Sequence, residues 1–263
     1  MKGASNNELK YYIIWFIRNL PLLEVYLLLY DKVKNFINHK FFWFNKKGYP
    51  DYLIKLERTV VSSTNNLWYD TESKHLNRLH VPEKYPSILP LATFRLPLQN
   101  NNIPWEYNFN DSEDTESLHR WNWILILLSE EEYQKDEIAS WFSFQIEKWM
   151  KIYLPELRKK RFKKALHWYP YTVGERISNT CIFFYLTGFH PSNKIIEGLG
   201  RQASFLFEHI EFQGSNTGNH VVNNARGLFL AGCFLRQPKW QAIALAIFKN
   251  EVPNHITEDG FFR

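Results

Sequence analysis

The stretch Gly218-Asn219-His220-Val221-Val222-Asn223-Asn224-Ala225-Arg226-Gly227-Leu228-Phe229-Leu230-Ala231-Gly232 decides how the chain is read. Past its polar opening, apolar side chains recur at three- and four-residue intervals, the spacing of one helix face, while Gly218 breaks what comes before. The spacing predicts a helix over 219–235. Thr217 or Asn219 can cap it by accepting free amide protons. Asn219 and His220 then sit at the positive end of a helix dipole, which attracts a carboxylate and disfavours protonation of an imidazole, so His220 is expected to be neutral and able to accept a proton. The plainer reading of the same pair is a capping asparagine and a satisfied core histidine.

Working outward, the same periodicity runs through the C-terminal half. It predicts helices near 116–128, 131–152, 174–186, 193–212, 219–235 and 239–252, with polar, Gly or Pro breaks between them. Short connections between helices of similar size favour antiparallel hairpins, arranged as a toroid or solenoid of helix pairs. Upstream, Ala92-Thr93-Phe94-Arg95-Leu96-Pro97-Leu98 and Ile103-Pro104-Trp105-Glu106-Tyr107-Asn108-Phe109 are short extended runs divided by the turn cluster Asn100 to Asn102. The expectation is an all-α fold: a partial (α/α) toroid over 91–263, whose first residues to about 115 form an extended loop segment, and an N-terminal helical arm over 1–90.

The chain of 263 residues is 45% hydrophobic, enough for a substantial core, which excludes a disordered protein. With 10 Trp and 14 Tyr it is rich in rings that suit either thick helix packing or flat sugar-binding surfaces; their helical spacing favours packing. A formal charge of +5 is mild. The densest basic cluster, Arg158, Lys159, Lys160, Arg161, Lys163 and Lys164, reads as a solvated helix face or as an attractor of an anionic polymer, and with no accompanying motif nucleic acid is not expected as a partner. Cys181 and Cys233 lie among apolar neighbours without metal-ligand spacing and read as buried thiols, so neither metal nor cofactor is expected. Tyr11 to Tyr30 is apolar but holds Arg18, Pro21 and Glu24, which argues against a transmembrane helix and leaves buried or surface-lying short helices, membrane-surface contact being the lesser alternative. No secretory signal pattern precedes it, which slightly favours the cytoplasm over the periplasm.

Other residues could carry chemistry. Arg176 and Asn179 stand three apart on one helix face after the turn His167-Trp168-Tyr169-Pro170-Tyr171, with Gly174 opening the helix. The guanidinium could grip a carboxylate bidentately, or pair internally with Glu175 or another acid. Trp121 and Trp123, with Trp105 and Tyr107 on the loop before them, could stack on sugar rings, although two residues separated by one cannot share a helix face. The carboxylates of Glu258 and Asp259 precede Gly260 in what reads as a turn, not as an acid–base pair.

In order along the chain, Ile103-Pro104-Trp105, Trp121-Asn122-Trp123, Tyr169-Pro170-Tyr171, Arg176, Asn179, Glu211, Gly218-Asn219-His220, Asn224-Ala225 and Asp259-Gly260 resemble the helical domain of heparinase II/III-type polysaccharide lyases over roughly residues 91–263. The resemblance implies an (α/α) toroid and β-elimination on a uronic-acid-containing polysaccharide. Asn219 would hydrogen-bond the uronate carboxylate, and His220 would serve as base or charge neutraliser. Tyr171, Arg176, Asn179, Trp105, Trp121 and Trp123 would bind the acidic oligosaccharide. In that family a tyrosine soon after the Asp-Gly turn protonates the leaving oxygen, and a β-sandwich follows. The chain is expected to stop at Arg263 short of both, giving an incomplete toroid and catalytic set whose apolar faces would be covered by a missing segment or a second copy. Two other functions are open: a noncatalytic glycan-binding or capsule-locus accessory protein, and a helical-toroid glycoside hydrolase, which lacks a separated carboxylate pair.

Overall fold

A computed structural model describes Pro50, Leu53 and residues 85–130, 132–159, 165–212 and 218–255. The chain divides into two compact units, Met1–Lys47 and Gly48–Arg263, and the first lies outside the described residues. So do the apolar Tyr11 to Tyr30 stretch, Lys160 to Lys164, Thr217 and the Glu258-Asp259-Gly260 turn.

The fold of the second unit is all-α. Seven helices follow in order among the described residues: α1 (Ser112–Arg120), α2 (Trp123–Ser129), α3 (Lys135–Lys159), α4 (Pro170–Thr187), α5 (Asn193–Glu208), α6 (His220–Phe234) and α7 (Pro238–His255). A 3-10 turn, Leu166–Trp168, leads into α4. The only described sheet is a pair of three-residue antiparallel strands, β1 (Ile88–Pro90) and β2 (Arg95–Pro97), with Leu89 opposite Leu96. None of the described helices is long and apolar enough to cross a membrane.

The expected helix over 116–128 is two helices, because Trp121 adopts the left-handed conformation (φ 62°) at the C-cap of α1. That conformation is costly for a bulky residue. Here it turns the chain so that Trp121 and Trp123, which one helix would splay apart, both point into the core. The helix expected from Gly174 starts four residues earlier: Pro170 occupies its first turn, where a preset φ helps and a missing N–H costs nothing. Gly174 therefore lies inside α4. It serves close packing, since a Cβ there would lie 3.1 Å from the backbone oxygen of Asn223 on α6. Its counterpart Gly227 on α6 is tighter, with a hypothetical Cβ 2.8 Å from the Gly174 carbonyl oxygen. These two glycines let α4 and α6 pack backbone to backbone, and α6 in turn packs on α7 across a three-residue connection.

The core is aromatic. Trp121, Trp123, Trp149, Trp168, Phe142 and Phe183 are fully buried together. The loop before α1 is tied across α3: Gln145 donates to the Asn101 carbonyl (3.0 Å) and accepts from the Ile103 amide (3.2 Å), while the Tyr153 hydroxyl donates to the Trp105 carbonyl (2.7 Å). Buried Asp114 closes the β1–β2 turn by accepting from the Thr93 hydroxyl and amide and the Phe94 amide. Burial alone would raise its pKa, but these hydrogen bonds to the carboxylate together hold it below the ordinary value.

Candidate functional site

His220 opens α6, and the elements around it converge on its ring. Glu211, on the segment leaving α5, places Oε1 3.2 Å from His220 Nδ1. Asn224, one turn further along α6, fixes that glutamate twice: its Nδ2 donates to Glu211 Oε2 (3.2 Å) and its Oδ1 accepts from the Glu211 amide (2.9 Å). A carboxylate only accepts, so in the neutral imidazole the pairing puts the proton on Nδ1 and leaves Nε2 with the lone pair. From α4, the Tyr171 ring lies 4.7 Å from the imidazole centroid, and Tyr169 meets it edge-on at 6.1 Å. Burial first, then the nearby carboxylates, raise both phenol pKa values, so both hydroxyls are protonated donors at neutral pH. Asn223 anchors the two helices here, its Nδ2 donating to the Tyr171 carbonyl (2.9 Å).

Asn219 precedes the ring and is solvent-exposed. It has helical rather than extended dihedrals (φ −62°, ψ −15°), and its side chain makes no capping hydrogen bond. The expected cap is therefore not made by Asn219: a residue already in the helical conformation cannot fold its side chain back onto the first amides as an extended cap does. Asn219 is thus an exposed residue immediately before His220 whose side chain does not cap α6.

Two ion-paired arginines frame the cluster. Arg120, at the end of α1, pairs with Glu113 and Glu116, and its guanidinium lies 5.1 Å from the Tyr171 ring centroid. Arg226 on α6 pairs with Glu175 on α4. Sequence reasoning did not single out Arg120, Tyr169 or Arg226 as site residues. Arg226 and Glu175 lie 51 residues apart, and only the α4–α6 packing brings them together.

The remaining expected binding residues lie beneath this face. Arg176 is wholly buried and has no carboxylate partner among the described residues: Nε donates to Gln202 Oε1 (2.6 Å), and Nη1 donates to the carbonyls of His119 and His167 (3.0 Å each). Its guanidinium lies 4.2 Å from the Trp149 ring centroid, with Trp168 and Trp121 at 5.5 and 5.6 Å. Burial lowers its pKa to about 9, which still leaves a full positive charge at neutral pH, held by carbonyl dipoles and ring faces. Asn179, 6% exposed, donates to the Arg120 carbonyl (2.9 Å). Trp105, Trp121 and Trp123 are 4%, 0% and 0% exposed and pack on one another, so none presents a ring face to a sugar in this arrangement. The solvent-facing ring of that loop is Tyr107, stacked on Phe94 and tilted against Phe109.

Cys181 and Cys233 are buried free thiols, and burial raises the pKa of each. Among the described residues no group of three or more His, Cys, Asp or Glu could hold a metal ion. The family model described as Heparinase II/III N-terminus matches residues 26–262. No curated protein and no solved structure matches the chain.

Proposed function

The chain belongs to the heparinase II/III N-terminus family, and from that premise we propose that it is the helical part of a polysaccharide lyase, an (α/α) toroid that cleaves a uronic-acid polymer by β-elimination at the Asn219–His220 face. The observation that carries this reading is the Glu211-oriented imidazole of His220, preceded directly in the chain by exposed Asn219, whose side chain is not used as a cap. Elimination needs a base at the proton next to the carboxylate, a donor to the charge that then develops on that carboxylate, and an acid for the leaving oxygen. His220 Nε2 has the lone pair for the first task. Asn219 Nδ2 supplies a donor for the second. The phenols of Tyr169 and Tyr171, whose rings border the imidazole, are hydroxyl donors for the third, and the resemblance implies a further tyrosine for it.

Buried Arg176 and Asn179 serve the site from below by pinning α4 to the end of α1, where Arg120 begins its reach towards Tyr171. A second reading, noncatalytic glycan binding, has its own support. Both cations framing the cluster are already paired with glutamates, so among the described residues this face offers no unpaired arginine to a substrate carboxylate. The two readings separate in a product assay. Incubation with uronate polysaccharides, with and without the downstream region of a heparinase-type lyase supplied in trans, gives unsaturated uronate ends detectable by ultraviolet absorbance if the lyase reading holds. Binding without any such product, in either condition, leaves the noncatalytic reading.

A further inference from the structure

A groove of about 440 Å3 runs between α3 and α5, within the size range of small-ligand sites and sharing no residue with the Asn219–His220 cluster. Its floor is apolar, formed by Met150, Leu154, Pro155 and Gly198. The helices come this close because residue 198 has no side chain: a Cβ there would lie 2.4 Å from the Met150 sulfur, so the methionine lies directly on bare backbone. The walls carry three cations, Lys151, Lys194 and Arg201, against two carboxylates, Glu147 and Glu197. Lys151, Lys194, Glu197 and Arg201 are exposed, and none of the ion pairs among the described residues includes them. Glu147 is steadied by the Ser192 hydroxyl at 2.8 Å. Lys194 and Arg201 are two turns apart, roughly 10 Å along α5, the span of about two sugar rings.

We propose that this groove is a second carbohydrate subsite that takes an anionic sugar unit of a bound chain. Unpaired cations facing a shared cleft select a carboxylate or sulfate. The glutamates accept hydrogen bonds from sugar hydroxyls, and the apolar floor takes the C–H face of a pyranose ring. A bare anion would leave the floor and the glutamates unmatched, and a neutral sugar would leave the cations unmatched. The polymer context rests on the reading of the preceding section, whereas the ligand class comes from the groove's own side chains.

The test is calorimetric titration of the full chain with an oligogalacturonate and, separately, a heparin oligosaccharide. Three proteins are compared: wild type, the groove variant Lys151→Ser/Lys194→Ser/Arg201→Ser, and the control Arg95→Ser/Arg236→Ser/Lys249→Ser, which removes the same charge elsewhere. The groove variant is expected to lose about tenfold in affinity for at least one oligosaccharide, from the loss of several solvent-exposed ion pairs. The control is expected to stay within about twofold of wild type. Equal affinity of wild type and groove variant overturns the subsite, as does equal weakening of groove and control variants, which marks unspecific charge attraction. Failure of both oligosaccharides to bind wild type overturns it too. Asn219→Ala in the same titration reports on the Asn219–His220 face alone, so failure of that reading and failure of the groove give different patterns.

Discussion

Substituting Gly227 by alanine should push α6 off α4 and open the candidate site from behind. The added Cβ would lie 2.8 Å from the Gly174 carbonyl oxygen, 2.9 Å from its Cα and 3.1 Å from a Leu206 methyl. Two of these neighbours are backbone and cannot rotate away, so the helices must separate by roughly half an ångström to reach ordinary contact. Overpacking of this kind costs about 1–3 kcal/mol. Alanine's better helix propensity returns up to about 1 kcal/mol. A net loss of about 1–2 kcal/mol corresponds to a fall in Tm of roughly 2–8 °C for a domain of this size. Gly200→Ala is the internal comparison: its Cβ would meet nothing nearer than Leu235 at 3.9 Å, so only the propensity gain applies and Tm should rise. Thermal unfolding followed by circular dichroism measures both, and the ring-current shift of the His220 protons reports whether the tilted 4.7 Å contact with Tyr171 has loosened. A Gly227→Ala protein at least as stable as wild type, or a Gly200→Ala protein losing as much as Gly227→Ala, would refute the close-packing argument.

Two further outcomes follow from the buried polar interior. Burial, then the charges of His167 and Arg176, hold the His119 pKa well below its usual value, and burial lowers that of His167 despite its 2.7 Å contact with Glu156. Both groups are protonated more readily when unfolded, so their contribution to stability is complete above about pH 6.5 and is lost as pH falls below it, by up to about 1.4 kcal/mol per pH unit for each histidine. Urea unfolding at a series of pH values checks this, and His119→Phe should flatten the acid limb. Arg176→Met should destabilise by about 2 kcal/mol or more, because it strands the carbonyls of His119 and His167 and the Gln202 amide oxygen in the core. Chemical denaturation measures the loss, and a variant as stable as wild type would show that the cation is not what joins α1, α4 and α5.

How much of this was legible in the sequence depended on whether the deciding interaction was local. The α5 and α6 spans follow from apolar spacing, and that of α6 also from Gly218 before its start, and they fall within a few residues of expectation. The break at Trp121 was not legible, since no glycine or proline marks it: a tertiary aromatic core imposes the left-handed turn on a residue that disfavours it. The early start of α4 was half-legible. Pro170 suits a first helical turn as well as the extended turn it was read in, and Gly174 read as a helix opener because its partner, Gly227, lies 53 residues away in sequence. At the site, the Asn219-His220 pair stood out as polar residues opening an apolar helix, and His220 does meet Glu211. Arg176 and the tryptophans were chosen for side-chain chemistry, which suits a buried cation-and-ring box as well as a sugar cleft; only burial separates the two. Arg120 and Arg226 carry no local mark at all, because each gains its place from packing between helices distant in sequence.

The most direct test of the central claim is the imidazole resonance of His220, followed by NMR as uronate oligosaccharides are added to wild-type and Asn219→Ala protein. The account predicts that the His220 signal shifts saturably with ligand, and that Asn219→Ala weakens that binding about tenfold, the effect of losing one hydrogen bond to a charged group. Saturable binding of the same oligosaccharides with the His220 resonance unmoved would place the carbohydrate elsewhere and contradict the account.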